Sequence, residues 1–142
     1  MFTNHFDVKI HNDAGAEITV GLRLPISEQI ALKKKYGEDT RTTIFSAGSD
    51  DEKLVDILTR ALTWKGHGNT ITDGVELLER LVDEGAMGIV QRQKLVIEIG
   101  LASGIFSEDE RDGLMKRVDK MSEHMFGDES SDDDESNDEK NA

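Results

Sequence analysis

Residues Asn69–Phe106 read NTITDGVELLERLVDEGAMGIVQRQKLVIEIGLASGIF, two helical patterns in succession with their ends marked. In the first, Val75, Leu77, Leu78, Leu81 and Val82 recur at helical spacing. Thr72 is placed to cap its N-terminus, with Asp73, Gly74 and Glu76 in the opening turn. Gly85 supplies the left-handed stop, since glycine enters that conformation without a Cβ penalty. The second pattern runs from about Ala86 to Ser103 and closes on Gly104, ahead of Ile105 and Phe106. No nucleophile, general base or ligand pair falls between the two, so the stretch is built to pack against something rather than to carry out a reaction.

The second helix is apolar on more than one side. Ile89, Val90, Val96, Ile97 and Leu101 form one stripe, while Leu95 and Ile99 lie about 150° away at 100° per residue. A helix apolar all round is either central in its own domain or covered by a partner. If a partner covers it, Leu95 and Ile99 belong to the docking surface, and Trp64, Ile105 and Phe106 are the best-placed groove walls.

Outward from this stretch the chain is also legible. Phe6, Val8 and Ile10 alternate with polar residues, as do Ile18, Val20, Leu22 and Leu24, and Asn12-Asp13-Ala14-Gly15 supplies turn chemistry between them. The expectation is a β-hairpin within residues 1–24 with one buried face. Because an isolated hairpin is marginal in water, that face has to rest on helices or on another subunit. After Pro25, Ser27 can cap a short helix from Glu28 to Tyr36 that Gly37 stops. Residues 38–49 read as a polar loop interrupted by Ile44-Phe45. Ser49 then caps a helix over 50–65 with Asp50, Asp51 and Glu52 in its first turn, where the helix dipole favours negative charge. Ser107-Glu108-Asp109-Glu110 is a capping box opening a last helix to about Phe126.

The chain has 142 residues, net charge −13 and no cysteine, enough for one domain and no thiolate site or disulfide. Residues 127–142 carry eight acids (Asp128, Glu129, Asp132, Asp133, Asp134, Glu135, Asp138 and Glu139) against Lys140, which is −7 of that total. The expected organisation is a single α-rich domain over 1–126, with its N-terminal hairpin, and a disordered, solvated acidic tail over 127–142. The tail lacks the glycine that bends an EF-hand loop, so no high-affinity calcium site is expected there. Strong negative charge argues against binding nucleic acid through phosphates, which needs clustered Lys and Arg. An acidic DNA mimic would need its charge spread over the folded surface rather than concentrated at one end. No apolar run of 18 residues and no signal-peptide pattern is present, so neither a membrane span nor secretion is expected.

Constellations that could carry chemistry are few. Gly66-His67-Gly68-Asn69 follows a helix and lacks the Lys-Ser or Lys-Thr pair of a phosphate loop, which makes it a helix stop and connector. His5, His11, His67 and His124 have no ligand spacing among themselves, so no metal is expected. No cofactor and no enzyme activity are expected, since nothing identifies a convergent pair of catalytic groups.

Ile71-Thr72, Glu76-Leu77-Leu78, Leu81-Val82-Asp83-Glu84-Gly85, Val96-Ile97-Glu98-Ile99 and Ser103-Gly104-Ile105-Phe106 resemble the tail assembly chaperones of long-tailed bacteriophages and prophages of Gram-positive bacteria. Leu24-Pro25-Ile26, Ala31 to Gly37, Leu54-Val55-Asp56-Ile57-Leu58 and Ala61-Leu62 fit the same order of elements, and the likeness spans roughly residues 16–106. The hairpin is longer than the pattern, and the acidic end has no counterpart in it. The resemblance implies a mainly α fold, an N-terminal hairpin packed on four to five helices. It also implies a protein that binds the tape measure protein in the host cytoplasm, keeps it soluble until tube subunits assemble around it, and is absent from the mature virion. The tail tube protein is a second implied partner, and a homo-oligomer is expected. The alternative is a structural virion component, such as a tail tube or connector subunit, which requires more strand than the period-2 pattern of the first 24 residues offers.

Overall fold

The computed structural model describes residues 4–64, 71–85 and 88–122. Its elements are a hairpin of β1 (Phe6–His11) and β2 (Glu17–Leu22), followed by α1 (Ile26–Tyr36), α2 (Thr40–Ala47), α3 (Asp51–Ala61), α4 (Gly74–Asp83) and α5 (Ile89–Ala102). A 3-10 turn at Glu108–Glu110 then leads into α6 (Arg111–Ser122). The fold is mainly α with an N-terminal antiparallel hairpin, as the sequence implies. The chain divides into two compact units, one up to Glu108 and one from Asp109 that contains α6.

The hairpin pairs Phe6 with Leu22, Val8 with Val20 and Ile10 with Ile18, which collects the alternating apolar residues on one face. Asn12 Oδ1 accepts from the backbone N–H of Ala14 and Ala16, at 3.0 Å each, and Gly15 takes φ +82° to complete the turn. The apolar face rests on helices of the same chain: β1 packs on α4 and α5, and Trp64 Nε1 donates to the Gly21 carbonyl at 3.1 Å.

α5 occupies the centre, packed on α2, α3 and β1. Of the two positions open to it, covered by its own domain or by a partner, the fold takes the first. Leu95 and Ile99 are buried together with Val96, Ile97 and Leu101, while Ile89 and Val90, at the start of the first stripe, are half-buried. Gln93, also buried on α5, donates to the Ile44 carbonyl of α2 at 3.0 Å, so its amide N–H is satisfied. At the end of α5, Gly104 (φ +80°) turns the chain back, and Ile105 N donates to the Gly100 carbonyl at 2.9 Å. Phe106 thereby comes down on Gly100, where a Cβ would lie 2.7 Å from its ring.

Several sequence expectations are corrected. Residues 40–47 are a helix rather than a loop. Its inward face is Thr40, Thr43, Ile44 and Ala47, spaced i, i+3, i+4 and i+7. Two threonines on that face hid the period, because their methyl groups pack while their hydroxyls read as polar. The buried Thr43 hydroxyl donates to Glu38 at 2.8 Å. α1 begins at Ile26 with Pro25 in the cap position, which leaves Ser27 inside the first turn.

The cap of α3 is Asp50 rather than Ser49, and that of α4 is Asp73 rather than Thr72. Each aspartate accepts a backbone N–H, from Lys53 at 3.2 Å and from Val75 at 2.9 Å. Where a hydroxyl residue and an aspartate stand side by side, the carboxylate takes the cap twice. It makes the charge-assisted bond and complements the helix dipole. α3 ends at Ala61, so Trp64 lies beyond the helix rather than within it. The last helix opens with a 3-10 turn, so α6 starts at Arg111. The glycine-rich segment 66–69 and the acidic residues 127–142 lie outside the described residues.

α1 and α3 are joined by a polar cluster around Asp56, whose carboxylate accepts from Lys35 Nζ (2.8 Å), Tyr36 Oη (2.8 Å) and Arg60 Nε (2.7 Å). Burial alone would raise the Asp56 carboxyl, but these three donors outweigh it and hold the group below its ordinary range.

Candidate partner-binding surfaces

Of the five residues that the sequence singled out for partner contact, the structure buries four. Leu95 is 5% exposed and Ile99 0%, and Trp64 and Phe106 are likewise core; Ile105 is half-buried. They do not converge on one groove. Trp64 sits under the hairpin with His5 stacked on it at 4.9 Å, whereas Phe106 lies over Gly100, with Phe45 at 5.6 Å and the Arg41 guanidinium over its ring at 5.0 Å. In this arrangement only Ile105 offers side-chain surface to a partner.

The exposed apolar surface lies elsewhere, on α4 and α1. α4 carries a wide apolar arc: Gly74, Leu77 and Leu81 point inward, while Leu78 is half-buried and Val75 and Val82 remain 47% and 48% exposed. Val75, Leu78 and Val82 stand at i, i+3 and i+7, one continuous shoulder along the helix. Between α4 and the start of α5 is a groove of about 390 Å³ lined by Leu78, Glu79, Val82, Asp83 and Arg92.

This shoulder is held in place from both ends. At the N-terminus Gly74 lets α4 meet α3 closely. Its N–H donates to Thr59 Oγ1 at 3.0 Å, and a Cβ there would come within 2.5 Å of the Val55 carbonyl. Towards the C-terminus Arg80 donates to the His11 carbonyl (3.2 Å) and to Asp13 (3.1 Å) on the hairpin. Glu84 accepts from the His11 backbone N–H (3.1 Å) and faces His11 Nδ1 (3.0 Å). The hydrogen bond from the His11 ring, followed by its backbone N–H, holds the Glu84 carboxyl below its ordinary range.

On α1, Ile26 and Ile30 are 66% and 51% exposed. Lys33 and Lys34 follow on the same side at helical spacing. A concavity of about 690 Å³ lies beside them, lined by Ile30, Lys33, Lys34, Gly37, Glu38 and Asp39.

Sequence reasoning missed both surfaces because it ranked helices by how far round they are apolar. The signal that could have found them is the opposite one: an amphipathic helix whose apolar arc is wider than its neighbours can cover, or whose apolar positions are isolated among charges. Among the described residues no group of three His, Asp or Glu side chains is placed to hold a metal ion, and no helix is long and apolar enough to cross a membrane. Compared with protein-family models, curated proteins and solved structures, the chain matches none.

Proposed function

We propose that this protein is a tail assembly chaperone that binds the tape measure protein, a long amphipathic helix, and keeps it soluble in the host cytoplasm until the tail tube forms around it. The observation that carries the reading is the α4 shoulder of Val75, Leu78 and Val82, an apolar strip left uncovered on a helix anchored to the hairpin and to α3. A client helix would lay residues spaced i, i+3/i+4 and i+7 into such a strip, the helix-in-groove mode. The strip is short, so holding a long client requires many copies along it, consistent with self-association. The net charge of −13 keeps a coated client dispersed by mutual repulsion. The element order resembling the phage chaperones supports the same reading. A structural tube or connector subunit finds less support, because the described residues hold only one two-stranded sheet.

Co-expression with fragments of a tape measure protein tests the proposal. The wild-type chain should move fragments from the pellet to the soluble fraction, and Val75→Asp with Val82→Asp should remove that gain while the variant stays folded. Failure of the wild-type chain to solubilise any fragment would end the chaperone reading.

A further inference from the structure

The α1 face differs from the α4 shoulder in its charge. In a chain of net charge −13, Lys33 and Lys34 stand with no ion-pair partner among the described residues, directly after two exposed isoleucines. Their neighbour Lys35 is committed to Asp56 at 2.8 Å, Glu28 to Arg60 at 2.9 Å, and Glu38 to Lys53 at 2.9 Å. These three charges around the face are thus used internally; Asp39, which lines the same concavity, is not, and the two lysines outnumber it. Ile26 and Ile30 stand four residues apart, on one face of α1, and each keeps more than half of its surface in solvent.

We propose that Ile26, Ile30, Lys33 and Lys34 form a docking face for an acidic amphipathic segment of a partner protein, which places apolar side chains on the two isoleucines and carboxylates on the two lysines. The partner class follows from charge complementarity. A basic segment would meet both lysines at contact distance, inside the Debye length of about 8 Å at physiological salt. A membrane would need anionic lipid to use the lysines, and the chain's net charge repels an anionic surface. The concavity beside Ile30 and Gly37 gives a bulky side chain of the segment a seat. The face is separate from α4, and the inference stands whether or not the chaperone reading holds.

Fluorescence anisotropy of the full chain with two labelled synthetic peptides tests it. The first is an 18-residue helix with leucines spaced i, i+3/i+4 and glutamates elsewhere; its twin has lysine in place of each glutamate. The acidic peptide should bind, and Lys33→Glu with Lys34→Glu should weaken it about tenfold, the effect of two exposed ion pairs. Ile26→Ser with Ile30→Ser should weaken it at least as much. All four positions are exposed, so circular dichroism should show each variant folded; the lysine pair alone decides the matter if the isoleucine pair does not fold. The proposal is overturned if the acidic peptide does not bind, or if it binds the charge-reversed chain equally well. It is also overturned if the wild-type chain binds phosphatidylglycerol vesicles through the isoleucines in preference to the peptide.

Discussion

α4 and α5 come from one stretch of sequence and end in opposite situations. α5 is apolar on two sides and buries Leu95 and Ile99 as well as Val96, Ile97 and Leu101, whereas α4 is a well-formed amphipathic helix that keeps Val75 and Val82 in solvent. Apolar content all round a helix therefore signals centrality here, and the surface open to a partner is the uncovered margin of a one-sided helix. α5 is held by packing on several elements, while α4 packs on α3 along one face, with Leu77 and Leu81 turned inward, and is tied to the hairpin by polar bonds. Substitutions should separate these two kinds of attachment.

The largest effect belongs to α5. Leu95→Asp with Ile99→Asp would bury two carboxylates with no partner, costing more than about 4 kcal/mol, a large share of the stability of a small domain. Thermal melting by circular dichroism should show no cooperative transition; a folded double variant would mean that α5 is not central. Gly100→Val comes next. Its side chain would meet the Phe106 ring and Ile44, and overpacking of this kind costs about 1–3 kcal/mol in denaturant titration. An unchanged midpoint would show that Phe106 does not close on α5.

On α4 the same chemistry should be nearly silent for stability. Val75→Asp with Val82→Asp should shift the unfolding free energy by no more than about 0.5 kcal/mol per site, because exposed positions lose little packing. Loss of stability comparable to the α5 variant would erase the contrast. The smallest effect is expected at the hairpin anchor. The folded Glu84 carboxyl lies below its unfolded value of about 4.3, so its contribution is present above that pH and fades as pH falls through the folded value. Hydrogen exchange at the His11 amide, corrected for intrinsic rates, should show protection that declines below about pH 4. In Glu84→Gln that decline should be absent, and a decline of equal size in the variant would remove Glu84 from the anchor.

The same contrast explains what was legible. Phe6, Val8 and Ile10 opposite Ile18, Val20 and Leu22 announced a hairpin because period-2 alternation and a turn sequence are local features. Gly37, Gly85 and Gly104 announced helix ends, and all three take positive φ. Thr40 and Thr43 concealed α2, since whether a threonine packs its methyl or shows its hydroxyl depends on what lies opposite, here Glu38. The docking candidates failed for a related reason: exposure is a property of neighbours. Ile99 and Val82 are equally apolar in sequence, and only the placement of α2, α3 and β1 around α5 buries one and leaves the other in water.

Periodicity, caps and stops thus determined from the sequence that this chain forms a hairpin followed by amphipathic helices, because these signals act between residues a few positions apart. The tertiary structure alone decided which helix is central, which aspartates take the caps, and which apolar side chains remain on the surface. Those outcomes depend on contacts between elements far apart in the chain, as when Gln93 reaches the Ile44 carbonyl or Arg80 reaches the hairpin turn.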